Sequence, residues 1–379
     1  MKLFSRTDQS VLGLWWWTVD RPMLSCVLIL MVFGVLLVTT ASPPVAHTIG
    51  APQYHFLVRH LVFLLPSLLL LLGTSMLSQR YVRRVASVLF AVTICAMIAV
   101  LFIGFEVKGA RRWIHFLGFS VQPSEFIKPL FLVMAAWLMS LQKTTGTFPG
   151  YYVTAGLYVL VITLLLLQPD FGMTFVLSFA WGVQIFMAGL PLRLVFGLIV
   201  AAVGGLVGAY FSLDHVRSRI DRFIDPSSGD NYQIEKSLEA FQSGGLLGAG
   251  PGQGVVKHSL PDAHADFIFS VAGEELGLIF ILILIALFAF ILLRGFNKLM
   301  VYDDLFTVLA AGGLLSMLGL QAFVHMGSAL NLLPAKGMTL PFISYGGSSL
   351  LSVSFSMGMV LALMRRKSRG GVSKASLSV

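Results

Sequence analysis

Charge is scarce in this chain. Only 11% of its 379 residues are Asp, Glu, Lys or Arg, where a soluble domain carries about 25%. That shortage, set against 57% hydrophobic residues, excludes a string of soluble domains and makes the bilayer the solvent. Cysteine is nearly missing. Cys26 and Cys95 are the only two, both inside apolar runs, which excludes a disulfide framework and a cysteine metal site. His264 has no second histidine at ligand spacing, so no metal centre is assigned. Basic runs interleaved with aromatics in a polar domain are absent, so the net charge of +9 implies no nucleic acid and reads as cytoplasmic anchoring charge. No cleavable signal peptide stands out, and the first apolar run reads as a retained span. There is no internal repeat and no low-complexity segment.

What the chain does have is apolar runs. They predict an all-α polytopic membrane protein, a single integral membrane domain over 1–379. Ten spans are expected, near 22–40, 56–77, 85–105, 123–141, 151–167, 173–190, 192–213, 266–296, 305–330 and 348–364. A polar tail at 1–21 ends in Trp15, Trp16 and Trp17, which suit an interfacial belt. The segment with Pro43, Pro44, Gly50 and Pro52 reads as a loop. Arg80, Arg83, Arg84, Lys143, Arg193, Arg294, Lys298 and the tail at 365–379 fall on one side. The positive-inside rule therefore puts both termini in the cytoplasm. The segments 106–122, 214–265 and 331–347 then face outward, the second being the one large extracytoplasmic loop, between spans seven and eight.

Those outward segments hold the unusual polar residues. Asp262, Asp266, Glu274 and Glu275 stand with His264 where the eighth apolar run begins, and carboxylates at such a place are costly. Cations accompany them: Lys108, Arg111, Arg112 and Lys128 in or beside the first segment, Arg217, Arg219 and Lys257 in the second, and Lys336 in the third, with Ser344 and Tyr345. Cations beside a carboxylate suit an anionic group such as a phosphate, and the carboxylate can accept a proton from an attacking hydroxyl. Blander readings stand beside this one. Surface cations serve as anchors, Glu125 and Lys128 pair at i, i+3, and Asp266 serves as an N-cap. The glycine run from Gly244 to Gly254 lacks the Lys-Ser/Thr ending of a P-loop and reads as loop geometry.

Several strings carry a resemblance. They are Lys108-Gly109-Ala110-Arg111-Arg112-Trp113-Ile114, Gln122-Pro123-Ser124-Glu125-Phe126-Ile127-Lys128, Gln168-Pro169-Asp170-Phe171-Gly172, Gly248-Ala249-Gly250-Pro251-Gly252, residues 261–277 and residues 331–349. In this order, with these spans between them, the chain resembles the SEDS family (shape, elongation, division and sporulation proteins), and its division branch more than its elongation branch. The resemblance implies a peptidoglycan glycosyltransferase that polymerises lipid II at the outer face of the bacterial cytoplasmic membrane, at the division septum. It implies Asp266 as the catalytic residue. The substrate-binding set is Lys108, Arg111, Arg112, Trp113, Glu125, Lys128, His264, Glu275, Lys336 and Ser344. It implies a class B penicillin-binding transpeptidase and other division proteins as partners. No cofactor is assigned, with a divalent cation, Mg or Mn, left open at the diphosphate. Two positions depart from the family pattern: Asp262 where glutamate is usual, and Ala265 where threonine or serine is usual. The alternatives are a lipid II flippase, an elongation-type polymerase, and a scaffold that only recruits division proteins.

Overall fold

The computed structural model describes residues 10–107, 110–116, 118–190, 232–334 and 338–365, with isolated positions between 193 and 221. Lys108, Arg219, Lys336, most of the expected seventh span and of the first half of the large loop, and the tail after Arg365 lie outside the described residues.

In chain order the helices are α1 Val11–Thr18, α2 Arg21–Thr48, α3 His55–Ser75 and α4 Gln79–Ile103, followed by three strands. Then come α5 Pro123–Thr145, α6 Gly150–Leu167, α7 Phe171–Met187 and α8 Tyr232–Gly244. The last three are α9 Ile268–Leu299, α10 Leu305–Ala329 and α11 Gly347–Leu363. Among the described residues seven of these, α2 to α6 with α9 and α10, are long and apolar enough to cross a membrane. The two shorter apolar helices, α7 and α11, stand where further spans are expected.

The bundle has a centre. The apolar windows of α5 and α10 are each 78% buried, against 17–44% for the other five. The outer helices therefore turn apolar side chains outward, which suits lipid, while α5 and α10 are enclosed by protein. Close packing at the centre rests on small residues. A Cβ added at Gly313 of α10 would meet the Gln184 amide nitrogen of α7 at 2.3 Å. That amide donates to the Leu132 carbonyl at 2.8 Å and the Leu309 carbonyl at 3.0 Å, so one buried side chain joins α5, α7 and α10.

Four local outcomes differ from the sequence expectations. First, α2 continues through Pro43 and Pro44 to Thr48. The Thr48 hydroxyl donates to the Pro44 carbonyl at 3.1 Å, so the proline pair ends the helix late instead of preventing it. Second, the 106–122 loop contains an antiparallel sheet: β1 Phe105–Val107, β2 Ala110–Phe116 and β3 Phe119–Val121, in the order β1-β2-β3. The outer strands are three residues each, too short to carry a periodic signal. Third, residues 338–343 of the 331–347 loop fold inward, with Met338, Leu340, Phe342 and Ile343 each 2% exposed or less. Each such burial contributes about 1.5–3 kcal/mol. Fourth, α9 is broken at Gly277, whose φ of 74° and ψ of −178° are non-helical.

Chain alternation and side-chain ties put two polar ends on this bundle. At one, the α2 N-cap residue Asp20 accepts from Arg294 at 2.8 Å and Lys298 at 3.2 Å, both on α9. Lys298 also donates to the Met364 carbonyl after α11, at 2.7 Å. The other end gathers the sheet, the 168–170 corner, residues 232–267 and the 331–346 loop.

Candidate functional site

Asp266 sits one residue before Phe267, the N-cap residue of α9, whose own side chain makes no capping hydrogen bond. Asp266 lies half-buried in a tight turn, its backbone N–H donating to the Asp262 carbonyl at 3.0 Å. Asp262 has φ of 52°, a left-handed conformation that a short Asp adopts more readily than most side chains.

The 338–346 loop holds this turn from the side. Ser344 donates from its hydroxyl to the Ala265 carbonyl at 2.7 Å and accepts from the Leu340 N–H at 2.8 Å. The Tyr345 N–H donates to the His264 carbonyl at 3.0 Å. The loop is itself anchored. His325 of α10 donates through Nδ1 to the Met338 carbonyl at 2.6 Å, and Gln321 donates to the Thr339 carbonyl at 3.1 Å. Aromatic rings close the other side. His264, buried, lies 4.0 Å from the Phe56 ring and 5.1 Å from the Tyr345 ring, centroid to centroid. Burial raises the Tyr345 phenol above its ordinary value, although Arg59 hydrogen-bonds to it and pulls the other way.

Beneath Asp266 lies the broken helix. Glu274 accepts from the Val256 N–H at 2.6 Å and the Lys257 N–H at 2.9 Å. The Lys257 ammonium donates to the Glu275 carboxylate and, at 3.1 Å, to the Thr40 carbonyl of α2. All three charged side chains are 3% exposed or less. The break frees backbone groups of α9, and the glycine run takes them up. Ala249 and Gly250 donate to the Glu274 and Glu275 carbonyls at 2.9 Å each, and Leu278 donates to the Gly245 carbonyl at 2.9 Å. A Cβ at Gly248 would meet the Glu275 carbonyl oxygen at 2.2 Å. The run thus has a definite purpose, close backbone approach, where sequence suggested only loop geometry.

The other expected site residues fall into separate places. Arg111 and Arg112 are adjacent on β2, but a bulge falls here: Arg111 stands opposite Glu106 and Trp113 opposite Phe105, so Arg112 is the extra residue. Arg111 is half-exposed and loosely paired with Glu106 at 3.7 Å. Arg112 donates to the Gln168 carbonyl at 2.8 Å and the Pro169 carbonyl at 2.6 Å, with the Asp170 carboxylate at 3.8 Å. Trp113, half-buried, pairs with Phe105 and so lies on the face opposite Arg111, which pairs with Glu106. Glu125 and Lys128 form a buried pair at 2.8 Å near the start of α5. Ser348 links sheet and loop by accepting from the Gln122 N–H at 3.0 Å. Lys257 and Tyr345 were named among the unusual polar residues but not placed in the substrate-binding set, and Arg59 was not singled out. The bracket of one lysine before and two glutamates after Asp266 was the signal for the first. Among the described residues no group of three or more His, Cys, Asp or Glu is placed to hold a metal.

An apolar helical bundle with one polar end built around a half-buried aspartate defines an integral membrane protein with a candidate site at that end. The family model described as "Cell cycle protein", covering FtsW, RodA and SpoVE, matches residues 20–369, and the chain belongs to that family. It is 46% identical over 365 residues to the probable peptidoglycan glycosyltransferase FtsW of Caulobacter vibrioides, covering 96% of this chain and 94% of that one. It is 35% identical to the protein of the same description from Geobacter metallireducens, covering 92% and 95%. Among solved structures it is similar to a chain of a peptidoglycan synthase complex that coordinates polymerization and crosslinking, with TM-score 0.76 and 29% identity over 91% of this chain and 97% of that one. The rod shape determining protein RodA of Thermus thermophilus superposes with TM-score 0.68 and 28% identity, covering 92% and 97%.

Proposed function

We propose that this chain polymerises lipid II into glycan strands for septal cell-wall synthesis. It is a peptidoglycan glycosyltransferase of the FtsW type. In the reaction the acceptor's GlcNAc 4-hydroxyl attacks the anomeric MurNAc carbon of the donor, and undecaprenyl diphosphate leaves. Asp266 takes the hydroxyl proton as the new bond forms, a contribution of about 10²–10⁴-fold. Arg111, with Lys108 and Lys336, receives the departing diphosphate, since fixed positive charge stabilises charge that grows in the transition state. Arg112, its guanidinium already committed to two carbonyls, holds the sheet against the 168–170 corner. The lipid tails lie along apolar helix faces while both sugars meet at the polar end, so positioning supplies much of the rate.

One observation carries this reading. Asp266 is half-buried at the head of α9 and held by the Ser344 and Tyr345 contacts, at the end of the bundle where Arg111 and Arg112 also lie. We take ten spans, both termini in the cytoplasm and this end outward, with a class B penicillin-binding transpeptidase as partner. The flippase alternative gains one feature, the break in α9, because transporters use broken helices. Here, however, the glycine run takes up the backbone groups that the break frees.

The test is polymerisation of labelled lipid II in detergent by the full chain with its cognate transpeptidase. Wild type makes polymer and Asp266→Asn makes none while keeping its thermal midpoint. Normal glycan from the variant would refute the base assignment. Transport confined to sealed vesicles, with no polymer in detergent, would favour the flippase.

A further inference from the structure

Lys257 and Glu275 each lie nine residues from Asp266, one on each side. Their side chains meet, so residues 257–275 form a closed loop with Asp266 at its far point. The closure is doubled, because Glu274 accepts both the Val256 and the Lys257 backbone N–H. It is also tied outward, through the Lys257 ammonium to the Thr40 carbonyl of α2.

This closure matters because of Gly277. A continuous helix would carry the position of its spanning half directly to its head. The backbone at Gly277 leaves the helical region, so residues 268–276 are not aligned by the rest of α9. What aligns them is the glycine run on the backbone and the Lys257 pair on the side chains. The pair is a costly choice for mere packing. Burying two carboxylates with one lysine demands full compensation, and apolar residues of similar size often serve stability as well or better. One Glu275 carboxylate oxygen is buried without a hydrogen-bond partner, so the cluster is not optimised for stability. Directional, charged contacts specify one geometry where apolar ones allow several.

We infer that Lys257 and Glu275 are positioning residues for the glycosyl transfer: their ion pair closes the loop that holds Asp266 at its working place. The inference rests on the reading of Asp266 as general base. Loss of the pair leaves lipid II binding intact and displaces the base. A misplacement of about 1 Å costs about 10²-fold in rate.

The test uses the full chain with its cognate transpeptidase and lipid II, comparing Lys257→Met, Glu275→Gln, Lys257→Arg and the exchange Lys257→Glu with Glu275→Lys. The expected result is a kcat lowered at least tenfold in the first two with KM within about twofold. Lys257→Arg retains most of kcat, and the exchange recovers part of the loss. Amide exchange in the folded Glu275→Gln variant rises over 260–273 and nowhere else. An unchanged kcat in either single variant overturns the inference, as does a loss carried by KM. If exchange rises across the whole bundle, the pair is a global stability element and the inference also falls. Asp266→Asn is run alongside. Normal polymer from it sinks the base reading, whereas inactive Asp266→Asn beside fully active Lys257→Met sinks only the positioning inference.

Discussion

The Ser344 hydroxyl donates to the Ala265 carbonyl at 2.7 Å, one peptide before Asp266. Loop and acid are therefore one mechanical unit, although they lie far apart in sequence. Removing this hydroxyl strands a partly buried carbonyl and the Leu340 N–H together. A typical hydrogen bond contributes about 0.5–1.5 kcal/mol, and an unsatisfied buried partner costs about 1–3 kcal/mol. Ser344→Ala is expected to fold with a lowered thermal midpoint and to lose about tenfold in kcat, with Ser344→Thr recovering part of it. Steady-state polymerisation with both variants checks this. Full activity in Ser344→Ala would uncouple loop from acid.

Glycine at 248 is required on two counts. Its φ of +83° is left-handed, and a Cβ there meets the Glu275 carbonyl oxygen at 2.2 Å. Gly248→Ala must push the run off the broken helix and re-expose the backbone groups it satisfies. Gly252→Ala is the control, since it has a similar φ of +79° but open space around it. Gly248→Ala should abolish polymer formation and sharply reduce the yield of folded protein, while Gly252→Ala costs about 1 kcal/mol from backbone strain alone. Equal behaviour of the two variants in a thermal-shift assay would contradict this account.

The Glu125–Lys128 pair offers a double-variant test. Both side chains are nearly fully buried and meet at 2.8 Å. Breaking such a pair from one side costs about 3–5 kcal/mol, while replacing both with apolar residues is often neutral. Lys128→Met alone should therefore unfold readily, and Glu125→Leu with Lys128→Met should regain most of the thermal midpoint. If the pair serves only to support α5, the double variant also keeps substantial polymerisation. A stable double variant with no activity would return Lys128 to the substrate.

At the opposite end Asp20 sets an acid limit. Burial alone would raise its carboxyl, but Arg294, the Met23 N–H and Lys298 together hold it below its ordinary 3.8. A carboxylate depressed by folding stabilises the fold above its unfolded pKa, and that stability is lost as pH falls through the folded value. The Asp20 share is thus intact at neutral pH and disappears only below about pH 3.8. Asp20→Asn should lower the thermal midpoint at pH 7, and the gap from wild type should narrow as pH falls below 3.8. A constant gap across that range would show that Asp20 acts only as a helix cap.

The bundle was legible because bilayer-length apolar runs have one reading. α5 and α9 begin within two residues of expectation because Pro123 and the Asp266 turn mark their starts. The site was legible only in outline. Asp266, Ser344 and the Glu125–Lys128 pair were visible as polar residues in apolar surroundings. That Arg111 and Arg112 have different partners was not, because the short strand β1 and the bulge at Arg112 give no periodic signal. Nor was the break in α9, since Gly277 inside an apolar run resembles an ordinary helix glycine. Only the returning loop reveals its left-handed backbone. The burial of Lys257 was not legible either, because it depends on α2, more than two hundred residues upstream.

The discontinuity at Gly277 also has a consequence for biogenesis. The spanning half of α9 beyond Ile279 is an uninterrupted helix, whereas Leu278 and Ile279 donate to the Gly245 and Leu246 carbonyls and residues 268–276 are complete only once the glycine run and Lys257 are in place. The cap around Asp266 is therefore expected to mature after the spanning half inserts. A protease added to freshly translocated chains should cut near Asp266 before it loses access there, with the membrane-embedded remainder already resistant.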